Sequence, residues 1–383
     1  MKLEVTLKQS LAEIDKIQWN QLGEADYPFT RHEFLLALEQ HHCLLEFGWQ
    51  PVYFLLYDVE TLIAATPCYI KSNSYGELVF DHSWAQAYQR SGLEYYPKLV
   101  TAIPYTPATG PRFLIHQQIT DTQQSQQLIQ QLIHVIQQFC HTHQLSGWHL
   151  LFERENLLKS LADPQLLLRY DCQYHWHNRD YRTFDDFLAQ LSSRKRKNIR
   201  KERASVATED LVITRKFGDQ LSDAEWQKVH QLYAGIFQRK HGTATLTEDF
   251  LRRTGQALKQ RVMVVLAHKQ QQIIAASLFF ISDSTLYGRL WGCDEYYNHL
   301  HFECCYYQGI EHCIDNRLQH FDPGAQGEHK ISRGFLPQRT CSAHWFIDQQ
   351  FQQAIGHYLI QEEQYIKEYC ADMLSKSPYR KNT

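Results

Sequence analysis

Ile63-Ala64-Ala65-Thr66, running on to Ser74-Tyr75-Gly76, and Ile274-Ala275-Ala276-Ser277, running on to Ser284-Thr285-Leu286-Tyr287-Gly288, are two versions of one phrase. Each opens an apolar run and ends on small and turn-forming residues, so each reads as a strand, a turn and a second strand. The echo continues: Tyr95-Tyr96 precedes Pro107-Ala108-Thr109-Gly110, as Tyr306-Tyr307 precedes Pro323-Gly324-Ala325. Self-similarity in the same order, at a separation of roughly 210 residues, predicts a duplicated domain.

The bulk numbers agree with two domains. A chain of 383 residues is longer than one core usually organises. Its 43% hydrophobic and 13% aromatic residues can fill real cores and exclude disorder. The boundary is placed near residue 170, giving domains 1–170 and 171–383, each of mixed α/β (α+β) type. No signal-type h-region opens the sequence and no stretch of about 18 apolar residues interrupts it, so a cytoplasmic protein without membrane insertion is expected. The ten cysteines form no CxxC framework, and Cys304 and Cys305 are adjacent, so reduced thiols are expected. A net charge of −3 removes the general electrostatic case for a nucleic-acid protein and leaves only a local one.

Working outward from the echo, Leu128, Ile129, Leu132, Ile133 and Ile136 fall at helical spacing. Trp148–Phe152 and Tyr174–His177 read as strands. Thr183 with Asp186 three residues on has the pattern of a capping box, followed by an apolar stripe of Phe184, Phe187, Leu188 and Leu191. A helix continuing from there would set Arg196, Arg200 and Arg203 on one face. The stretch Arg194–Arg203 holds seven basic residues against one acidic, enough to meet several phosphates of a tRNA backbone, a pyrophosphate or a nucleotide tail. The plainer reading is a solvated helix end.

Two further regions concentrate chemistry. Phe302, Tyr306, Ile310 and Ile314 recur at helical spacing, which puts Glu303 in the first turn of a helix after a strand, a frequent place for site residues in α/β folds. The helix dipole also favours a glutamate there without any site. His299 and Glu303, with His301 nearby, match no zinc signature, and no metal is expected. The segment Phe321–Phe335 packs three glycines, Gln326, Glu328, His329, Lys330 and Arg333 together, and unpaired charges and amides are too costly to bury. It is an exposed loop or a polar site. In the second case Glu303 or Glu328 is the candidate base with His329 beside it, and Lys330 and Arg333, with Gln326, are candidate contacts to an anionic group. Cys304, Cys305 and Cys341 are weaker candidates as nucleophiles. In the first half, Asp81, His82 and Trp84 follow the echoing strand, and with Tyr95–Leu99 could line a cleft facing the second half.

The motifs KSNSYGELVFDHSWAQAY, YYPKL, YTPATGPR, LYGRLWG, LHFECCYYQGIE and GAQGEHKISRGFLPQ resemble the bacterial FemAB-like peptidoglycan biosynthesis/recognition family of N-acyltransferases. The resemblance implies two tandem GNAT-type domains, similar to the Fem transferases that add amino acids from aminoacyl-tRNA to peptidoglycan precursors. The Arg194–Arg203 segment resembles the RKNIRKA-like stretch of those enzymes. One departure concerns the donor: the Gln/Arg-x-x-Gly-x-Gly/Ala turn of acetyl-CoA-using GNAT enzymes does not follow Tyr287–Trp291. The donor therefore stays open among aminoacyl-tRNA, an acyl carrier and a CoA held in another way. The expected activity is transfer of an acyl or aminoacyl group to a small or lipid-linked amine, with Arg196 and Arg200 on a phosphate-bearing portion and Asp81, His82 and Trp84 on the acceptor. The alternative is a protein that recognises a cell-wall precursor or an RNA without turning it over.

Overall fold

The computed structural model describes residues 3–325 and 327–380, so Gln326 lies outside the described residues. The strands, in chain order, are β1 (Leu3–Lys8), β2 (Trp49–Asp58), β3 (Thr61–Lys71), β4 (Lys98–Thr101), β5 (Leu114–Ile115), β6 (Gly147–Glu153) and β7 (Leu167–His177). They continue with β8 (Leu211–Phe217), β9 (Val262–Lys269), β10 (Gln272–Ile281), β11 (Thr285–Cys293), β12 (His320–Asp322) and β13 (Leu336–Phe346). The chain divides into two compact units, Met1–Asp171 with Arg339–Glu368, and Cys172–Gln338 with Tyr369–Thr383.

In the first unit the strand order is β1-β2-β3-β4-β6-β13, antiparallel except for the parallel β4–β6 pair. In the second it is β8-β9-β10-β11-β12-β7, again antiparallel except for one parallel pair, β11–β12. A parallel pair needs a crossover. The helix Thr122–Thr142 lies in that crossover in the first unit and the helical run Leu300–Asp315 in the second. The two units thus repeat one topology, and Ile63–Thr66 in β3 and Ile274–Ser277 in β10 occupy the same place in it.

The echo is less complete than its sequence implies. Ser282–Ser284 is a tight link from β10 to β11, as expected. After β3, however, the chain runs through an irregular segment and the helix His82–Arg90 before β4 begins at Lys98. Tyr95-Tyr96 precede the fourth strand of their unit, whereas Tyr306-Tyr307 follow the fourth strand of theirs, so those two pairs are not equivalent.

Each unit has its own core. Leu128, Ile129, Leu132, Ile133 and Ile136 bury one face of Thr122–Thr142 against β2, β3 and β6. Five such side chains stabilise the unit by roughly 10 kcal/mol before entropy is counted. Asp121 caps that helix through its side chain. In the second unit the Thr183 capping box is present in full and Phe187, Leu188 and Leu191 are buried. That helix does not continue: Leu191 is extended, forms an isolated bridge to Tyr379, and a new helix, Ser193–Ala207, carries the basic run. Among the described residues no helix is long and apolar enough to cross a membrane.

Candidate active site

In the second unit β12 accompanies β11 only from Thr285 to Tyr287, and β11 runs on to Cys293. The helix that follows opens at His299, whose φ of 63° is left-handed. After one turn, Leu300–Phe302, it widens into a π-turn over Glu303–Tyr307 before resuming at Gln308–Asp315. Such turns are rare and concentrate at functional sites. This one brings aromatic and imidazole rings together. His301 lies 5.3 Å from the Trp291 ring and 5.3 Å from Tyr306 between ring centroids, and His329 is 5.9 Å from Tyr306. The Tyr306 hydroxyl and His329 Nε2 are 2.9 Å apart. Gly327, at φ 106°, lets the backbone pass His329: a Cβ there would sit 2.4 Å from the imidazole. His329 itself is exposed. Partial burial, then Arg333 and Lys330, hold its pKa below the ordinary histidine value, and burial together with His329, Arg333 and Lys330 lowers His301 to about 4.

The charged residues of this region are largely committed to one another. Arg333 is bidentate to Glu202 at 2.8 and 3.1 Å, donates to the His329 carbonyl, and lies 3.3 Å from the Phe302 ring centroid. Tyr307 donates to the same Glu202. Lys330 is buried, donates to the Gly324 carbonyl at 2.6 Å, and has a pKa lowered by burial to about 8. Glu303 is buried and held on both oxygens by Arg203 at 3.0 Å, with Gln308 donating to it at 2.7 Å. Glu328 is exposed and accepts from the Tyr369 hydroxyl. His329 is therefore the group of this cluster that combines an exposed ring with a neutral form at pH 7.

On the basic helix, Arg200 pairs with exposed Asp185 at 2.9 Å and Arg203 with Glu303 and Glu311, while Lys195 donates to Ser332. Among the described residues none of Arg194, Arg196, Lys197 and Lys201 is in an ion pair. His299 meets Ser205, and no group of described residues has the makings of a metal site. Burial pushes the Cys304 and Cys305 thiols up and Cys341 to about 12, which removes the thiolate that a cysteine nucleophile needs.

The first unit holds a second concentration of charge. Lys98, fully buried, is paired with Asp81 and with Glu77 at 2.8 Å. Tyr95 donates to Asp81 at 2.6 Å and lies 3.4 Å from His149 Nε2, whose Nδ1 is 2.8 Å from His344 Nδ1. Trp84 packs edge-on to His344 at 4.9 Å, with the Arg169 guanidinium 4.6 Å above the indole. Asp81 and Trp84 thus join this network, whereas His82 stays exposed beside Phe80. Burial raises Glu77 to about 7 against the pull of Lys98, and burial lowers Lys71 to about 7. For Asp81 burial is outweighed by Lys98, and the carboxyl lies below its ordinary range. Burial keeps His149 and His344 neutral.

With the geometry in view, comparison with known proteins is direct. The model of the FemAB-like family, peptidoglycan biosynthesis/recognition, matches residues 10–381. The chain belongs to the FemAB-like family. No curated protein matches its sequence. Among solved structures it is similar to FemX, with a TM-score of 0.53 and 9% identity over 92% of this chain and 100% of that one. It is also similar to the C-terminal DUF2156 domain of a putative lysylphosphatidylglycerol synthetase from Agrobacterium fabrum, with a TM-score of 0.51 and 10% identity over 90% and 96% of the two chains. At such identities the likeness is one of fold, and the repeated strand topology of the two units agrees with a tandem, Fem-like arrangement.

Reading this FemAB-like sequence left several participants unassigned. In the sequence His301 reads only as a neighbour of Glu303, and Tyr306 only as part of a repeated tyrosine pair and an apolar stripe. Lys71 and Glu77 fall in the stretch after the echoing strand that could line a cleft, and His344 beside the Phe321–Phe335 segment, whereas His149 and Arg169 enter no site. Lys98 falls within the Tyr95–Leu99 stretch already read as a possible cleft wall, and the signal that joins Glu77 to it is their density with Asp81 in a segment too aromatic to be a plain loop. Nothing local could have joined His149 to His344, which are 195 residues apart.

Proposed function

We propose that this FemAB-like protein transfers an acyl or aminoacyl group from an activated ester or thioester to an amine of a peptidoglycan precursor, in the cytoplasm, with His329 as the base. The observation that carries the reading is the exposed, neutral imidazole of His329 set against the Tyr306 hydroxyl at 2.9 Å beside the π-turn. With His329 Nε2–H donating to the Tyr306 oxygen, Nδ1 is bare and accepts a proton from the attacking amine, while the Tyr306 hydroxyl keeps its hydrogen for the developing oxyanion. Burial raises the Tyr306 pKa, so that hydrogen stays in place. The C–N bond forms as the amine attacks. The C–O or C–S bond then breaks, and the proton held on His329 passes to the leaving oxygen or sulfur.

In this reading Lys330 and Arg333 act through their field on His329, and Glu303 fixes the helix through Arg203. Glu328 is a second carboxylate in the same turn, within reach of solvent. The unpaired cations Arg194, Arg196, Lys197 and Lys201 take the phosphates of the donor, which the basic helix suits best when the donor is an aminoacyl-tRNA.

The test is single-turnover transfer from aminoacyl-tRNA or acyl-CoA to an amine-bearing muramyl peptide. His329→Gln should lower kcat about 10²–10⁴-fold with KM within a few-fold. Because the pKa of His329 lies below 6.5, the wild-type rate should stay level down through that pH and fall only on further acidification. A His329→Gln enzyme with wild-type kcat would remove the base assignment. Precursor binding without product from the wild type would favour recognition over catalysis.

A further inference from the structure

β1 pairs with β2 only from Tyr53 to Asp58, although β2 begins at Trp49, so Gln50 and Pro51 lie beyond the end of β1. The chain leaves the sheet at Gln9 and Ser10 and enters the helical turn Leu11–Glu13. The gap left in the first unit is a cavity of about 400 Å³, walled on its other sides by the end of the helix His32–Gln40 and by Leu44 and Leu45. Ligand cavities run from about 300 Å³ upward.

Its electrostatics are one-sided. Among the described residues that line it, Glu39 alone is ionisable at the carboxylate or amine level. Glu39 accepts from Ser10 Oγ at 2.6 Å, from the Leu11 N–H at 3.0 Å and from the Tyr53 hydroxyl at 2.5 Å. All three donors are neutral, so they fix the carboxylate in place without cancelling its charge. The carbonyl end of the helix His32–Gln40, the negative end of its dipole, opens on the same cavity. The surrounding sequence offers no compensation: from His32 to Ile70 it holds five carboxylates and no lysine or arginine. Lys8, at the end of β1, is taken up by Glu13 at 3.3 Å.

The rest of the lining is mixed. Gln9, Gln40 and Gln50 are exposed, and their amides make no hydrogen bond to any described residue, so they offer donors and acceptors together. Leu44, Leu45 and Pro51 supply apolar surface beside them.

We propose that this cavity is a binding site for a hydroxylated organic ammonium. The uncancelled carboxylate and the helix end select a cation over an anion. The three amides select a body that bears hydroxyls over a plain hydrocarbon, and the volume is far larger than an ammonium ion alone fills. In the complex the ammonium lies against Glu39, the hydroxyls exchange hydrogen bonds with Gln9, Gln40 and Gln50, and the carbon chain rests on Leu44 and Leu45. The proposal goes beyond the transfer reaction and does not rest on it.

The experiment is calorimetric titration of the full chain at pH 7 and low salt with D-glucamine, sorbitol and gluconate. These share one polyol chain and carry a positive charge, none and a negative charge. Saturable binding of D-glucamine is expected, about five-fold tighter than sorbitol, with gluconate weakest. Gln50 is exposed, so substitutions there should leave the melting temperature in place. Gln50→Lys should weaken D-glucamine about three-fold and Gln50→Glu should tighten it by a similar factor, whereas neutral sorbitol should not distinguish the two. Glu39→Gln should bring D-glucamine to the affinity of sorbitol; if that variant unfolds for want of an acceptor, the Gln50 pair still decides the matter. Absence of saturable D-glucamine binding, equal affinity for sorbitol or gluconate, or a shift of the same sign in both Gln50 variants would overturn the proposal. No acyl donor is present in the titration, so failure here leaves the transfer reaction untouched.

Discussion

Replacing Lys98 by methionine probes the buried charges of the first unit most directly. Lys98 is fully buried and is the cation between Asp81 and Glu77, which are 2% and 4% exposed. Removing one partner of a buried, hydrogen-bonded ion pair costs about 3–5 kcal/mol, because the charge left behind can neither hydrate nor find a substitute. Glu77, already raised to about 7, escapes part of this by taking a proton; Asp81 has no such easy exit. For a unit of about 200 residues the cost corresponds to a fall in melting temperature of roughly 6–20 °C. The pH dependence has a definite sign. In the wild type the Asp81 pKa is depressed, so its stabilisation is present above the unfolded carboxylate value and disappears as pH falls through that range. In Lys98→Met both carboxyl pKa values are raised, so the variant is least unstable at low pH and loses stability as pH rises through them. Differential scanning calorimetry at pH 5, 6.5 and 8 reads both effects. A variant melting within about 2 °C of wild type at pH 8, with no narrowing of the gap at pH 5, would refute a charged, desolvated Lys98–Asp81–Glu77 cluster. Adding Asp81→Asn to Lys98→Met should restore at least half of the loss, since the stranded charge is then gone.

In the second unit, Arg203→Met strands Glu303, while Glu311 keeps Arg215 at 2.7 Å, and urea unfolding should show a loss of about 2–3 kcal/mol, less than for Lys98 because Arg203 is 27% exposed and partly screened. The conservative Glu303→Gln should cost less than Arg203→Met; the opposite order would make Glu303 more than a counter-ion. On the basic helix, Arg196→Gln with Lys201→Gln should flatten the dependence of log affinity for tRNA on log salt by about 1.4–1.8, and an unchanged slope would take the helix off the phosphate path.

What could be read in the sequence follows from what is local. The buried strands β3 and β10 announce themselves because their apolar runs are continuous and similarly begun, and the Thr183 cap because its two partners are three residues apart. The break at Leu191 was hidden, since an apolar residue followed by serines and arginines is compatible with unbroken helix; the bridge to Tyr379 ends it. Lys330 and Arg333 looked like open anion contacts because their burial depends on distant acceptors, the Gly324 carbonyl and Glu202. Tyr306 and His329 fell into different motifs, and only the π-turn, which shifts the helix register, brings the hydroxyl to the ring.

The duplication also shows where the two units parted. Both run through the same five strands with one parallel crossover, yet the link from third to fourth strand is Ser282–Ser284 in one and everything from Ser72 to Pro97 in the other. That longer link contributes Glu77, Asp81, Trp84 and Tyr95, four of the residues around Lys98 and His344. An extended connection is tolerated at little entropic cost, roughly 0.6 kcal/mol for each doubling of length, so it is a cheap place to add chemistry to an existing sheet. The second unit instead concentrates its rings on the helix after its fourth strand, where the π-turn sets Tyr306 against His329. One topology therefore presents two sets of ionisable groups on different elements, and the units need not do the same work.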